Sequence, residues 1–180
     1  MSDPDAVLLQ VHGLAVRFGA TAVVQDVSFD LHQGACIGIV GASGSGKSVT
    51  SLALMGLLDR RMATLSGTAR WHADGGAHDL LTMGPDDLRR LRGREMAMVF
   101  QEPMTALDPA YTVGEQVAEA VRTHLGMDRH KARRHVEGLF DEVRLPDPAR
   151  IFGRHPHQLS GGQKQRVMIA MALSCAPRLL

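Results

Sequence analysis

Eight consecutive residues have the spacing of a phosphate-binding loop, and we call them the phosphate loop. They are Gly41, Ala42, Ser43, Gly44, Ser45, Gly46, Lys47 and Ser48. Glycines let the backbone curl until several N–H groups converge on an anion, the lysine reaches the terminal phosphates, and the serine hydroxyl can hold Mg²⁺. The pattern predicts that the loop binds ATP, with Lys47 as a catalytic charge and Ser48 as a Mg²⁺ ligand. The alternative is a glycine turn that only links a strand to a helix.

A second glycine motif lies far downstream, and we call it the signature loop. It consists of Leu159, Ser160, Gly161, Gly162 and Gln163. Ser160 is a preferred helix N-cap, and residues 162–173 can form a helix whose first turn presents N–H groups to an anion. A simple hinge ahead of a helix is equally compatible with these residues, so the physical argument leaves both interpretations open.

The segments around the phosphate loop predict the elements that would position it. Apolar and polar residues alternate over 9–18 and 27–31, which predicts antiparallel strands joined by a turn at 18–21. Residues 35–40 are nearly all apolar, as in a parallel strand that is covered on both faces. A helical stripe follows the loop and predicts a helix that ends near Leu58 and Asp59: Val49, Leu52, Ala53 and Leu57.

Beyond this helix the pattern alternates between strands and helices and then becomes helical. Strands are predicted over 67–72 and 96–100, with a turn at 74–76 and a helix over 86–91 between them. Thr112 and Glu115 form a capping-box pattern ahead of a helix with the stripe Val113, Val117, Val121 and Leu125. A further helix begins at Asp128 and is predicted to stop before Pro146 and Pro148.

The composition is that of an ordinary globular domain. The 180 residues are 44% hydrophobic and 22% charged, which excludes disordered, collagen-like and disulfide-scaffold classes. The formal net charge is +1, so we expect no nucleic-acid partner. Two cysteines, Cys36 and Cys175, lie in apolar runs, which indicates buried, reduced thiols in the cytoplasm. No run approaches the ~18 apolar residues of a membrane span, so any crossing is expected from another chain.

The two loops together distinguish one family. The signature loop resembles the signature motif of ABC ATP-binding cassettes, and this resemblance favours an anion site over a hinge. Three longer stretches, 101–109, 112–116 and 156–170, resemble the subfamily that serves dipeptide, oligopeptide and nickel import. His155 departs from that subfamily, in which tyrosine is common at this position. A Rossmann dehydrogenase is disfavoured, because Lys47 and Ser48 follow Gly46 where that fingerprint has its third glycine.

The resemblance implies an α/β fold, the P-loop NTPase ABC cassette, with a parallel core sheet, an antiparallel β subdomain and a helical subdomain. We expect 1–180 to be a single cassette fragment, incomplete at the C-terminus. Its α/β core is expected over 1–102 and 158–180, and its helical subdomain over 103–157.

The resemblance also assigns partners and further site residues. Ser160, Gly161, Gly162 and Gln163 would cap the γ-phosphate of ATP held by a second cassette, in a head-to-tail homo- or heterodimer. Gln101 would contact Mg²⁺ and the attacking water, and Phe18 would stack on adenine. Membrane-spanning permease subunits would hold the protein at the cytoplasmic face of the membrane as a peripheral subunit, with an extracytoplasmic solute-binding protein as an indirect partner.

The family's two catalytic acids have no counterpart in the sequence. ABC cassettes continue into a strand that ends in the Walker B Asp, which holds Mg²⁺, and the catalytic Glu, and Pro177–Leu180 resembles the entry to that strand. We therefore expect an ATPase in the intact protein and an inactive chain over 1–180, a fragment that stops before the Walker B strand. The alternatives are a non-transport ABC ATPase of DNA repair or translation and a non-catalytic nucleotide-binding fragment.

Two other groups of residues invite functional hypotheses. His155 and His157 flank Pro156 but lack neighbouring Cys or carboxylate ligands in a metal pattern. The basic residues Arg129, Lys131, Arg133 and Arg134 share their predicted helix with acidic residues. We interpret the first group as loop histidines and the second as a solvated helix face.

Overall fold

The computed structural model describes residues 6–73, 76–100 and 106–180. The chain divides into two compact units, Met1–Leu88 and Arg89–Leu180. The first unit carries the phosphate loop and the second carries the signature loop. Gln101, Pro103 and most of the predicted turn at 74–76 lie outside the described residues.

The first unit is built on a four-stranded antiparallel sheet in the order β2-β1-β3-β4. Its strands are β1 (Val7–Phe18), β2 (Thr21–His32), β3 (Ala63–Ala73) and β4 (Gly76–Asp79). The predicted pair of strands and the turn after Phe18 are confirmed, since Phe18 pairs with Thr21. Leu9 lies between Leu31 and Trp71 in neighbouring strands, and all three are buried. Alternation along β1 thus supplies one face of the core.

Helix α1 (Lys47–Leu54) belongs to the same unit, and α2 (Pro85–Leu91) begins in it and continues past its last residue, Leu88. The helix predicted after the phosphate loop exists, but it ends at Leu54 and not near Leu58. Gly56 follows the C-cap Met55 with a φ of 62°, in the left-handed conformation that commonly ends helices. A Cβ at Gly56 would also lie 2.6 Å from a methyl carbon of Leu88, so the chain turns away in tight contact with α2.

The strand predicted over 35–40 is not formed. These residues have no strand partner among the described residues, and all six are exposed, Val40 by 92%. The burial predicted for Cys36 is therefore wrong, whereas Cys175 is buried as predicted. A parallel strand needs hydrogen-bonded neighbours, which an apolar run cannot supply by itself. The strand predicted over 96–100 is likewise reduced to an isolated bridge residue, Met96, which pairs in parallel with Arg92 and Leu179.

The second unit is a helical cluster. It contains α3 (Val113–Leu125), α4 (Arg129–Glu142), α5 (Pro148–Phe152), a 3₁₀ turn (Pro156–Gln158) and α6 (Gly161–Leu173). The apolar faces of these helices share one core, which includes Val117, Val121, Val136, Phe140, Ile151, Phe152, Leu159, Val167 and Met168. Helical periodicity therefore predicted α3 and α4 correctly.

Helix caps set the ends of these elements. Thr112 Oγ1 accepts from the Glu115 N–H, whereas the Glu115 carboxylate lies 3.4 Å from Arg122, so one half of the predicted capping box is observed. Asp128 is the N-cap of α4, and the helix ends at Glu142, before Pro146 and Pro148 as predicted. Sequence reasoning did not predict that Pro148 would occupy the first turn of a further helix, α5. Proline fits there since a first-turn N–H has no intrahelical partner.

Candidate functional site

The phosphate loop closes around its own lysine. Lys47 Nζ donates to the carbonyl oxygens of Gly41 at 2.8 Å and Ala42 at 2.7 Å, and it lies 3.4 Å from Ser45 Oγ. The ammonium group thus sits within the curl of the loop, in contact with oxygen acceptors. A phosphate group that entered the loop would offer the same cation stronger acceptors, because its oxygens are charged.

Glycine is required at defined points of this loop. Gly44 and Gly46 have φ values of 80° and 89°, which L side chains rarely adopt. A Cβ on Gly46 would lie 2.7 Å from the Val23 carbonyl oxygen, so β2 backbone and loop backbone are in close contact there. The positive φ and this contact together place the start of α1 directly after the curl, where its N-terminal dipole favours an anion.

Thr50 fixes the loop to the helix that follows. Its backbone N–H and its hydroxyl both donate to the Gly46 carbonyl oxygen, at 2.8 and 3.0 Å, and the side chain is buried. Ser48 lies one residue into α1 and is exposed, so its hydroxyl is accessible to a metal ion. These bonds make Thr50 a structural support of the loop, a role that sequence reasoning missed because its signal is one ordinary helical threonine.

A cleft of about 390 Å³ opens beside the loop. Polar residues Ser45, Lys47 and Thr50 line one part of it. Most of the remaining wall comes from β2 and from the segment before the loop: Val23, Val24, Gln25, Val27, Phe29, Ile39 and Val40. Sequence reasoning assigned Val27 and Phe29 to one strand face but did not connect them with the loop. The cleft therefore joins a cationic, hydroxyl-bearing part to an apolar wall.

Phe18 does not line this cleft. It ends β1, is half-buried, and pairs with Thr21 and Ala63 in the sheet. Its stacking on adenine stays a prediction. The predicted role of Gln101 also stays a prediction, because that residue lies outside the described residues.

The signature loop ends in a reciprocal capping box at the start of α6. Ser160 Oγ accepts from the Gln163 N–H at 3.3 Å, and the Ser160 N–H donates to Gln163 Oε1 at 3.0 Å. The N-cap role predicted for Ser160 is confirmed, and α6 includes Gly161 ahead of the predicted start at 162. Helix starts leave the first N–H groups without intrahelical acceptors, so Gly161 and Gly162 present theirs at an exposed helix terminus.

The glycines of the signature loop are not required by the fold of this unit. Neither Gly161 nor Gly162 has a positive φ. A Cβ built on either would meet no heavy atom within 4 Å. Glycine is unfavourable in helices relative to alanine. Among the described residues, the two glycines therefore leave the backbone at the start of α6 uncovered by other heavy atoms.

His155 and His157 stack their rings ahead of this loop, with centroids 5.5 Å apart and an interplanar angle of 15°. In the part of the chain that the structure describes, no group of three or more His, Cys, Asp or Glu residues could hold a metal ion. No described helix combines the length and apolar character needed to cross a membrane.

Comparison with known proteins identifies the family. The model of the ABC transporter family matches residues 24–180. The match includes both the phosphate loop and the signature loop. The chain belongs to the ABC transporter family, and its fold is that of an ABC ATP-binding cassette.

Curated relatives are similar over nearly the whole chain. The glutathione import ATP-binding protein GsiA of Pectobacterium atrosepticum is 46% identical over 98% of this chain and 29% of its own length. The dipeptide transport ATP-binding protein DppD of Escherichia coli is 45% identical over 96% of this chain and 53% of its own length. The chain thus spans about half or less of these relatives.

A solved structure agrees in fold. The dimeric, post-hydrolysis structure of an ATP-binding cassette bound to ADP and Pi has a TM-score of 0.79 and is 26% identical, with 94% of this chain and 71% of that chain covered. The fold of the chain is therefore that of a known ATP-binding cassette.

Proposed function

We propose that this chain is the nucleotide-binding part of an ABC importer's ATP-binding subunit, and that the imported solute is a peptide or a related small molecule such as glutathione or nickel. The observation that carries the proposal is the Lys47 ammonium held inside a glycine loop at the start of α1. The names of the relatives at 45–46% identity support the importer class.

In this proposal ATP binds with its phosphates in the phosphate loop. Lys47 exchanges the Gly41 and Ala42 carbonyl oxygens for phosphate oxygens, because charge-assisted hydrogen bonds are the stronger ones. Backbone N–H groups of the loop and the start of α1 surround the phosphate chain. Ser48 would hold Mg²⁺ from its exposed position in the first turn of α1, and the ion would neutralise phosphate charge.

The second half of the site would come from another subunit. Gly161 and Gly162 leave open space and unshielded backbone N–H groups at the start of α6. Such a helix terminus can bind a phosphate, and glycine allows the closest approach. A head-to-tail pair of cassettes would place the signature loop of each on the nucleotide of the other. The dimeric state of the solved cassette supports this arrangement.

Hydrolysis would follow when the dimer closes. In-line attack of water on the γ-phosphate depends mainly on positioning and on charge stabilisation. Lys47 would supply charge, and Gln101 would contact Mg²⁺ and water. The family's Mg²⁺-binding Asp and water-polarising Glu have no counterpart within 1–180, so in this proposal these residues bind ATP without appreciable turnover. Membrane-spanning permease subunits at the cytoplasmic face would receive the conformational change.

Calorimetric titration with Mg·ATP tests nucleotide binding at the phosphate loop. The chain should bind ATP, and Lys47→Ala should weaken binding at least tenfold, because it removes a charged partner worth ~1.5–3 kcal/mol. Arg129→Ala is the matched control, since it removes an exposed positive charge in the other unit. Equal affinities for the original chain and Lys47→Ala would overturn the assignment. Rapid, Lys47-dependent hydrolysis by residues 1–180 would contradict the proposal that these residues bind ATP without appreciable turnover.

A further inference from the structure

Helices α4 and α6 end in an unusual way. Neither helix has a basic residue in its last turn, where a cation would interact favourably with the negative end of the helix dipole. Instead, a backbone carbonyl oxygen at the C-terminal end of each helix accepts a hydrogen bond from a basic side chain of the other helix.

The first contact runs from α6 to the end of α4. Arg166, in the middle of α6, donates through a guanidinium N–H to the backbone carbonyl oxygen of Arg144, two residues beyond the last residue of α4. Arg144 has a φ of 58°, which is uncommon for a residue with a side chain. The carbonyl that follows this left-handed turn is the one that Arg166 binds.

The second contact runs from α4 to the end of α6. His135 Nε2 lies 2.9 Å from the backbone carbonyl oxygen of Ser174, the C-cap of α6. A carbonyl oxygen only accepts, so Nε2 must carry the hydrogen. His135 is half-buried and Ser174 is buried. The hydrogen bond therefore has limited competition from water.

Together the two contacts define the axial position of α6. Arg166 and Ser174 are eight residues apart, which corresponds to about 12 Å along a helix. The apolar side chains of α6, such as Val167 and Ala170, contribute packing that is largely non-directional. Two directional bonds at separated points restrict both sliding and rotation of the helix against α4.

We propose that His135 and Arg166 are positioning residues that hold α6, and with it Ser160, Gly161 and Gly162, in register for contact with nucleotide on a second subunit. The signature loop is continuous with α6 through the Ser160 capping box, so a shift of the helix moves the loop by the same amount. This inference rests on the proposed function. It goes beyond it by assigning catalytic consequence to two residues that would touch no nucleotide.

The test uses the whole protein that contains this chain, with Arg166→Ala and His135→Ala as the disruptive variants. Turnover of ATP should fall about tenfold in each, because misplacement on the ångström scale can lower rates up to a hundredfold. The affinity of the undimerised protein for ATP should stay unchanged, since the phosphate loop belongs to the other unit. Arg166→Lys and His135→Asn keep a donor and should restore most of the turnover.

Arg134→Ala is the matched control. Arg134 precedes His135 on α4, is exposed, and makes no ion pair or hydrogen bond among the described residues, so its variant should keep full turnover. Hydrogen exchange gives a readout besides activity: the hydrogen-bonded amides of Gln163 and Lys164 and those of residues 173–176 should exchange faster in both disruptive variants and normally in the control.

The outcomes separate the two proposals. Unchanged turnover in both alanine variants, or reduced turnover that the donor-keeping variants fail to restore, would overturn the positioning role. Normal exchange at Gln163 and Lys164 in the disruptive variants would overturn it as well. A protein that binds no ATP even with Arg166 and His135 intact would instead overturn the proposed function, while the exchange experiment would still report whether these residues hold α6.

Discussion

At the scale of single residues, the glycines divide into those that the fold needs and those that it does not. Gly46 combines a φ of 89° with a close approach to the Val23 backbone. Gly161 and Gly138 lie in helices, have no positive φ, and have open space where a Cβ would be. Alanine substitution therefore distinguishes a glycine that is required for its backbone conformation from a glycine that is required because another molecule contacts it.

We predict that Gly46→Ala destabilises the protein and that Gly138→Ala stabilises it. Gly46→Ala should lower the melting temperature and abolish ATP binding, because the new methyl group meets the Val23 carbonyl at 2.7 Å. Gly138→Ala should stabilise the protein by about 1 kcal/mol, since alanine is the better residue in an exposed helix. Thermal unfolding and calorimetry with Mg·ATP would measure both effects.

Gly161→Ala supplies the informative comparison. Its melting temperature should equal or exceed that of the original protein, and ATP affinity at the phosphate loop should be unchanged. Turnover by the whole protein should nevertheless fall, because a methyl group would stand where the second subunit's nucleotide approaches. A destabilised Gly161→Ala protein would show that the glycine serves the fold of its own unit.

At the scale of elements, sequence periodicity predicted amphipathic helices and antiparallel strands well. The stripe of Val113, Val117 and Val121 and the alternation along β1 each carry the signal of one buried face. The segment over 35–40 carries no such signal. A uniformly apolar run fits a strand only if neighbouring strands cover it, and no described strand does so. Whether neighbouring strands cover residues 35–40 cannot be read from the residues of this segment alone.

The candidate site likewise contains features that the sequence could indicate and features that it could not. The phosphate loop and the N-cap Ser160 could be recognised because their function depends on backbone geometry that a few residue types specify. The apolar wall of the cleft, with Val23 and Phe29, and the contacts of Arg166 and His135 depend on which elements pack together. Such contacts have no short-range pattern, so sequence alone did not indicate them.

A pH prediction belongs to the start of α4. The N–H of Lys131 donates to the Asp128 carboxylate at 2.9 Å, and this bond, aided by the nearby Lys131 charge, lowers the pKa of Asp128. The lowered pKa means that the carboxylate stabilises the folded state above the ordinary aspartate pKa. This contribution disappears as the pH falls through the lowered value.

The measurement is the melting temperature as a function of pH for the original protein and for Asp128→Asn. Asparagine keeps an N-cap oxygen but does not titrate in this range, so the difference between the two proteins should shrink as the pH falls below about 4. A difference that stays constant over the acidic range would show that the Asp128 charge does not contribute.

At the scale of the whole molecule, the chain carries two different half-sites in two compact units. The phosphate loop has the geometry of a nucleotide-binding loop, and the signature loop presents an exposed helix terminus. In the proposed head-to-tail pair, the two phosphate loops and the two signature loops would form two composite sites. Closed two-fold pairs of this kind are the commonest symmetric assemblies of soluble proteins.

Disulfide trapping between two variants tests directly whether the phosphate loop of one subunit meets the signature loop of another. Ser43→Cys places a thiol on the exposed phosphate loop and Gly162→Cys places one on the signature loop, each in a chain with Cys36 and Cys175 replaced by serine. If the subunits pair head to tail, an oxidised mixture of the two variants should form a covalent dimer, and Mg·ATP should make it form faster. Either variant alone should form little dimer. A mixture that stays monomeric with Mg·ATP would contradict the composite site.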